Sequence, residues 1–335
     1  MQEQKDLIRI TEEFLADTID YPKLRKAAEE YKTFLYQLSG CDLDNETGRS
    51  DIQLSSGKAL GTFWAALCID DFIRTRQFIR GIDQAIREKL QHNDSIHVLY
   101  AGSGPFATLL LPLILRHSRE RVKYTLLDIN PFSLEILNRL IARLELQEYK
   151  LEVICADATQ YRLPNDTPDI IVSETMQNAL AKEQQVPIFI QLMRQAKPDT
   201  VFIPEKIQLS IGLRKDGDLL ELPFHERYKK VDTVFEVSKE ALHFALQSKA
   251  TAPGEIIFPE NSLTLEKHAL KDYSQLVLLT EIKVFRNERI NLNESGLTTP
   301  LIINNIPENV KQSITVLSQY KISTEPKLDN QIVVG

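Results

Sequence analysis

From residue 95 to residue 204 short apolar runs alternate with segments of helical length, and no other feature of the chain limits its fold as much. The runs are SIHVLYAG, VKYTLLDI, LEVICADA, PDIIVSET and TVFIPEK. The segments between them include PFATLLLPLILRHS, PFSLEILNRLIARLEL and VPIFIQLMRQAK. Runs that stay apolar, without polar residues in alternation, are strands buried on both faces. The helical segments supply that cover, so the spacing predicts an α/β fold built on a doubly wound, mostly parallel sheet.

The flanks read differently. Residues 1–90 form an N-terminal helical cap: LIRITEEFLADTI and YPKLRKAAEEYKTFLYQLSG carry apolar residues at helical spacing, with Gly40 as a stop signal. After the polar loop CDLDNETGRSDIQLSSGK, the stretch ALGTFWAALCIDDFIRTRQFIRGIDQAIREKL reads as one long or broken helix. Nothing in this region alternates like a strand. Residues 91–204 hold the α/β unit. Residues 205–335 are β-rich: KIQLSIGLR, KVDTVFEVS, EIIFPENSLTLEKH, SQLVLLTEIKVFR and ITVLSQYKIS are expected to form an antiparallel sheet or small barrel. The tail LDNQIVVG either adds a last strand or frays.

At 335 residues the chain has room for about two domains and for a core that needs no disulfide or metal. A hydrophobic share of 43% and a charged share of 26% exclude wholesale disorder, collagen and coiled-coil classes. The formal charge of −7 argues against a protein that coats nucleic acid. Cys41, Cys68 and Cys155 share no metal spacing and suit a reducing compartment. No basic-then-apolar leader opens the chain. The longest apolar run, FATLLLPLIL, falls short of the roughly 20 residues that cross a membrane. A cytoplasmic protein is expected.

The densest chemistry is at HVLYAGSGPFATLL. A strand runs into Gly102-Ser103-Gly104, and a helix is expected to start near Pro105. Glycines allow the tight turn and let a ligand approach bare backbone, while a helix start offers unpaired N–H groups. The second strand ends in Asp128, placed to accept both hydroxyls of an adenosine ribose. The third ends in Asp157, followed by Ala158, where a carboxylate can reach an adenine amine. A lone GxG is weak, but a glycine turn with acids after strands two and three is far more specific. The alternative is three ordinary βα turns, in which Gly and Asp are common. Ala107 stands where a GxGxxG pattern has its last Gly, beside Phe106, and no phosphate-gripping Lys follows. Both features favour S-adenosylmethionine, which has no pyrophosphate to cradle, over nicotinamide cofactors or a P-loop nucleotide.

On these residues the chain resembles the class I S-adenosylmethionine-dependent methyltransferases. More narrowly it resembles the protein arginine methyltransferases, over roughly residues 60–215 and more faintly beyond. Asp71-Phe72-Ile73-Arg74-Thr75 is similar to the family's Asp-x-x-Arg-Thr helix, which implies that Arg74 grips the cofactor's methionine carboxylate. The alternative for Arg74 is a solvated helix face near Arg76 and Arg80. Ser173-Glu174-Thr175-Met176, with Glu183 nine residues after Glu174, resembles the family's double-glutamate loop. That implies that Glu174 and Glu183 hold a guanidinium and polarise its nitrogen toward the methyl carbon. Glu183 also reads as an acid near the start of the helix VPIFIQLM, favoured by the helix dipole. The implied cofactor contacts are Arg74, Gly102, Ser103, Gly104, Asp128, Asp157 and Ala158. AKPDTVFIPEKIQLSIGL is similar to the family's strand leading out of the catalytic domain, with Pro204 near the junction.

The substrate side departs from the family. Its Tyr-Phe-x-x-Tyr segment is missing at Ser55-Ser56-Gly57-Lys58-Ala59, and its Thr-His-Trp loop at residues 295–302, where SGLTTPLI stands. Gln177 replaces the glycine after Ser-Glu-x-Met. The expected reaction is methyl transfer to a guanidine or amine nitrogen of a small molecule, peptide or protein. Alternatives on the same fold are O-methylation and aminocarboxypropyl transfer; the GSGP turn and the apolar segment after it also resemble nicotianamine-synthase-like enzymes. A non-catalytic binding or scaffold protein that retains the fold is a further alternative. The resemblance also implies a homodimer, with HERYKKVDTVFEVSKEALHFALQ as a short helical insertion. Trp64 is expected in the core. His225, His243 and His268, which share no metal spacing, are expected at surface or core positions. Ser103 has no hydrolase-elbow context.

Overall fold

The computed structural model describes residues 2–40, 48–215, 222–247, 256, 258–308 and 310–335, so Cys41 and the first part of the polar loop lie outside the described residues. Two helices open the chain, α1 (Gln2–Leu15) and α2 (Tyr21–Ser39). Asp20 caps α2 by accepting from the Lys23 N–H, Pro22 sits in its first turn, and Gly40 closes it at φ +59°. Leu7, Ile10 and Phe14 of α1 and Leu24, Tyr31 and Leu35 of α2 are buried at helical spacing. Phe14 and Tyr31 meet edge-on, ring centroids 5.8 Å apart.

The cap is not purely helical. A hairpin of β1 (Ile52–Leu54) and β2 (Gly57–Ala59) interrupts it. The hairpin carries no alternating pattern; a local pair between Lys58 and Asp51 at 2.6 Å and a tertiary contact, the Lys58 N–H donating to the Lys182 carbonyl at 2.9 Å, hold it. The long helical stretch is broken, giving α3 (Thr62–Leu67), a 3-10 turn, and α4 (Phe72–His92). Asp71 starts α4 by accepting from the Arg74 N–H at 3.1 Å. Trp64 is 48% exposed and not a core residue. Short α3 turns Thr62 and Ala66 inward, leaving Trp64 against Phe63 with its indole N–H donating to the Arg49 carbonyl.

The middle of the chain is β3 (Ile96–Ala101), α5 (Leu111–Ile114), β4 (Val122–Asp128), α6 (Pro131–Arg143), β5 (Lys150–Cys155), β6 (Ile170–Ser173), α7 (Gln185–Met193) and β7 (Val201–Ile203). The five strands are all parallel, in the order β5-β4-β3-β6-β7. Every residue of β3 is buried, as its unbroken apolar run requires. The helix expected from Pro105 shrinks to the short α5. Ala107, at the third-glycine position, takes φ +44°, and Pro112 cannot donate within a helix, so the segment runs as turns before Leu111.

The C-terminal part is β8 (Lys206–Lys215), α8 (Phe224–Arg227), β9 (Tyr228–Val237), α9 (Lys239–Gln247), β10 (Asn261–Glu266), β11 (Tyr273–Phe285), β12 (Glu288–Ile290), β13 (Leu301–Asn305), β14 (Ser313–Lys321) and β15 (Lys327–Val334). One antiparallel sheet runs β12-β11-β8-β9 with β13 also on β11; a second runs β10-β14-β15. The tail pairs as the last strand. The segment read as a helical insertion is divided between strand β9 and a short helix on either side. Phe235, Phe258 and Tyr320 pack between the two sheets, with Phe235 stacked on Tyr320 at 4.4 Å. Among the described residues no helix is long and apolar enough to cross a membrane. His243 and His268 are exposed.

Candidate active site

The strand order reverses between β3 and β6, and a cleft lies at their carboxyl ends. Arg74, Gly102, Ser103, Gly104, Asp128, Asp157, Ala158, Glu174 and Glu183 all line this one cleft. Those are the residues the sequence assigned to cofactor and acceptor.

Past Ala101 the chain turns through Gly102 at φ +76° and Gly104 at φ +63°. A Cβ at Gly102 would stand 2.2 Å from Thr175 Cγ2, so the turn requires bare backbone. The N–H groups of Gly102 and Ser103 donate to the Leu127 carbonyl at 2.8 and 3.1 Å, and that of Gly104 to Asp128 Oδ2 at 2.7 Å. Asp128 Oδ1 accepts from the Asn130 N–H at 2.8 Å. Asp128 thus ties the turn to β4, and each oxygen retains a lone pair for a hydroxyl. Burial pushes its carboxyl up, against the pull of these backbone donors. Asp157 is more fully engaged in its own turn: Oδ1 accepts from Thr159 N–H and Oγ1, at 2.8 and 2.7 Å, and Oδ2 from Gln160 Nε2 at 3.0 Å.

Opposite the turn, the first turn of α4 brings Arg74 Nη2 to 3.0 Å from Glu174 Oε2; the two side chains are 8% and 6% exposed. Arg74 is therefore not on a solvated face, and neither are its neighbours. Arg76 donates to the Ala16 carbonyl, and Arg80 to those of Leu15 and Ala16. Glu174 follows the last residue of β6. Gln185 fixes that strand end: its Oε1 accepts from the Thr175 N–H at 3.0 Å, and its Nε2 donates to the Ser173 carbonyl at 2.9 Å.

Glu183, 6% exposed, reaches the same cleft and also stands two residues before the start of α7. The β1–β2 hairpin lies against it, where the family's aromatic segment is missing. Lys58 bridges Glu183 through the backbone, and Gln184 Nε2 donates to Ser56 Oγ at 2.7 Å. A Cβ at Gly57 would stand 2.9 Å from the Lys182 carbonyl oxygen. The loop between the glutamates stores backbone strain, with positive φ at Ala179, Leu180 and Lys182. The C-terminal sheets hold it there. Tyr320 donates to the Leu180 carbonyl at 2.7 Å, the Lys182 N–H to the Pro326 carbonyl at 2.8 Å, and Asn178 Nδ2 to the Thr299 carbonyl at 2.7 Å. Thr299 belongs to the SGLTTPLI segment, whose Ser295 and Gly296 also donate to Asp71.

Burial pushes the Glu174 carboxyl up to about 7 despite the opposing Arg74 charge. It pushes Glu183 up to about 8, aided by the Glu174 charge. Burial also works against the charge on Arg74, but Glu174, Cys68 and Asp71 outweigh it and hold the guanidinium above its ordinary value. Arg74 Nε, Glu174 Oε1, Glu183 Oε1 and Ser103 Oγ are buried without a hydrogen-bond partner. Unpaired polar atoms are rare in native interiors, and four of them line one cleft here.

Sequence reasoning did not assign Lys58, Cys68, Tyr100 and Gln184 to the cleft. Tyr100 was detectable: it is the last residue but one of β3, immediately before the glycine turn. Lys58 and Gln184 gave no local signal, because tertiary packing alone brings them in.

By sequence the chain matches no protein-family model and no curated protein. By structure it is similar to the Trypanosoma brucei PRMT1 enzyme–prozyme heterotetrameric complex with AdoHcy. The TM-score is 0.54 at 11% identity, over 80% of this chain and 92% of that chain. It is also similar to Arabidopsis thaliana protein arginine methyltransferase 10 in a uniquely open conformation. Here the TM-score is 0.53 at 13% identity, over 79% and 91% of the two chains. With its parallel sheet and its antiparallel C-terminal sheets, this chain has the fold of the protein arginine methyltransferases.

Proposed function

We propose that the cleft binds S-adenosylmethionine and that the protein transfers its methyl group to a guanidine or amine nitrogen of a small molecule, peptide or protein. The observation that carries this reading is the convergence of Arg74, Glu174 and Glu183, each with an unpaired buried atom, beside a turn with no room for a side chain at Gly102. The residues present fit the cofactor. Arg74 Nε has a free donor for a carboxylate, Asp128 has spare lone pairs for ribose hydroxyls, and the bare turn admits the linking chain. When bound, the cofactor supplies an electrophilic methyl carbon on a sulfonium.

The protein's part is alignment and charge. Arg74 orients the amino-acid end of the cofactor. Glu174 and Glu183, one of them already facing Arg74, accept hydrogen bonds from the acceptor nitrogen and hold it in line. Their raised pKa values suit this task. Either carboxyl is a competent proton acceptor near neutrality, and a cationic acceptor between them drives both toward ionisation. Acceptor affinity should therefore rise as pH climbs through the range where these groups titrate.

Calorimetry with S-adenosylmethionine tests the cofactor directly; no heat at millimolar ligand would favour a scaffold. Incubation with labelled cofactor and host-cell extract, read by mass spectrometry, identifies the acceptor by the mass of one added methyl. Methylthioadenosine as by-product, in place of S-adenosylhomocysteine, would mean aminocarboxypropyl transfer.

A further inference from the structure

Glu174 stands one residue past β6, and its carboxyl makes a single contact, Oε2 to Arg74; Oε1 is buried without a partner. Its aim into the cleft is therefore set by the main chain on either side, where the strand has ended. One buried side chain holds both flanks. Gln185, 1% exposed in the first turn of α7, donates from Nε2 to the Ser173 carbonyl at 2.9 Å and accepts at Oε1 from the Thr175 N–H at 3.0 Å. Oε1 also accepts from Thr175 Oγ1 at 3.1 Å and from Ser173 Oγ at 3.3 Å.

A residue of a neighbouring parallel strand would bond in the same way, donating to the carbonyl before Glu174 and accepting from the N–H after it. The Gln185 amide thus carries the ladder one step beyond Ser173, whose pairing with Ala101 is the last between β6 and β3. The same side chain ties the second carboxyl to the first. Glu183 lies two residues before Gln185, so no more than about 8 Å of chain separates them. Gln185 does not line the cleft and meets no ligand. What it fixes is the distance between two carboxyls, each with a buried oxygen that lacks a partner.

This step rests on the methyl-transfer reading above: we infer that Gln185 is a positioning residue for the reaction, its side-chain amide holding Glu174 at a set distance from Glu183 so that both carboxylates meet one acceptor nitrogen. The cofactor end is held by other bonds, from Gly102 and Ser103 to the Leu127 carbonyl and from Gly104 to Asp128, and does not depend on Gln185.

Two substitutions test it. Gln185→Met keeps the bulk and removes the amide. Gln185→Glu keeps the shape: protonated, its carboxyl makes both main-chain bonds, and ionised it has no donor for the Ser173 carbonyl. Burial favours the protonated form, which is lost as pH rises. Transfer of labelled methyl from saturating S-adenosylmethionine to host-cell extract, well below the melting temperatures, should fall about a hundredfold in Gln185→Met, the loss that an ångström of misplacement brings. S-adenosylhomocysteine affinity by calorimetry should change less than about threefold, as for a separate site. In Gln185→Glu, transfer should be about equal to that of the wild type near pH 6 and fall at least about tenfold below it near pH 8.5, which a merely structural role would not produce. Unchanged transfer in Gln185→Met, cofactor affinity lost in step with transfer, or a pH-independent ratio for Gln185→Glu would overturn the inference. If Gln185→Met does not fold, the Gln185→Glu ratio decides alone. If the wild type transfers no label, the transfer reading itself fails, and a carbon NMR titration of the Glu174 carboxyl decides whether Gln185 positions it. A midpoint that falls from about 7 toward the ordinary 4.5 in Gln185→Met upholds that placement; an unchanged midpoint overturns it.

Discussion

Arg74 Nη2 and Glu174 Oε2 lie 3.0 Å apart, and this buried ion pair joins the first turn of α4 to the end of β6 across the mouth of the sheet. Its two halves are not equivalent. Arg74→Met leaves a carboxyl in a dry site, which should cost about 3–5 kcal/mol when that carboxyl is ionised. Glu174 escapes by taking a proton, because its pKa, already near 7, climbs further once Arg74 is gone. The loss in Arg74→Met should therefore be small near pH 5.5 and grow as pH rises past 7. Glu174→Gln has no such escape: Arg74 cannot shed its charge and loses its carboxylate at every pH, so its cost should persist at pH 5.5, where that of Arg74→Met is small. Denaturant melts of both variants across pH decide this; a pH-independent loss in Arg74→Met would mean that the pair is not the buried contact seen here.

Glu183 sets a second pH dependence, of opposite use. Its folded-state pKa of about 8 lies above the ordinary 4.5, so the folded protein binds the extra proton between those values. Stability then falls as pH rises from about 5 through 8. For a shift of this size the fall is on the order of 3 kcal/mol between pH 5.5 and 8.5. Glu183→Gln is neutral throughout and should flatten the decline, melting above the wild type at pH 8.5 and close to it at pH 5.5. If the two melting curves stay parallel across this range, the Glu183 carboxyl titrates at an ordinary value and is not buried in the free protein.

These carboxyls also mark how far the chain could be read without its structure. The strands β3, β4 and β6 were legible because unbroken apolar runs have few other places to go, and their ends delivered Gly102, Asp128 and Glu174 to one edge. Arg74 and Glu183 came from the motif spacing of the family resemblance. What stayed hidden is what tertiary contact makes. The β1–β2 hairpin forms because Lys58 finds Asp51 and the Lys182 carbonyl, neither of which leaves a period in the sequence. The turns before α5 depend on Ala107 accepting a left-handed conformation, which propensity disfavours. Tyr100 was absorbed into an apolar run, where a phenol counts as bulk and its hydroxyl goes unread.

Gly102 tests the turn itself. A side chain there faces two penalties, the positive φ and the Thr175 methyl 2.2 Å from the new Cβ. Gly102→Ala should destabilise by about 2–4 kcal/mol, through backbone strain and overpacking together. Thr175→Ser removes the clashing Cγ2 and leaves the hydroxyl that donates to Gln185. The double variant Gly102→Ala/Thr175→Ser should recover roughly half of the loss, leaving the φ term of about 1–2 kcal/mol. A double-mutant cycle by thermal melting measures the coupling; strict additivity would place Thr175 away from the turn.

Tyr320 reports on how the C-terminal sheets serve the glutamate loop. Its phenol donates to the Leu180 carbonyl at 2.7 Å, inside a loop whose residues 179, 180 and 182 all hold positive φ. Strain of this kind persists only where the surroundings fix it, and Tyr320 is one of the fixing groups. Tyr320→Phe keeps the stack on Phe235, removes the bond and leaves the Leu180 carbonyl buried and unpaired, for a cost of about 1–3 kcal/mol. With the loop free to relax, Glu183 should lose its alignment while Arg74, Gly102 and Asp128 keep theirs. The expected result is undiminished S-adenosylhomocysteine affinity by calorimetry, together with faster amide hydrogen exchange confined to residues 177–184. If exchange in that loop is unchanged, the C-terminal sheets do not hold the glutamate loop in place, and its geometry must come from β6 and α7 alone.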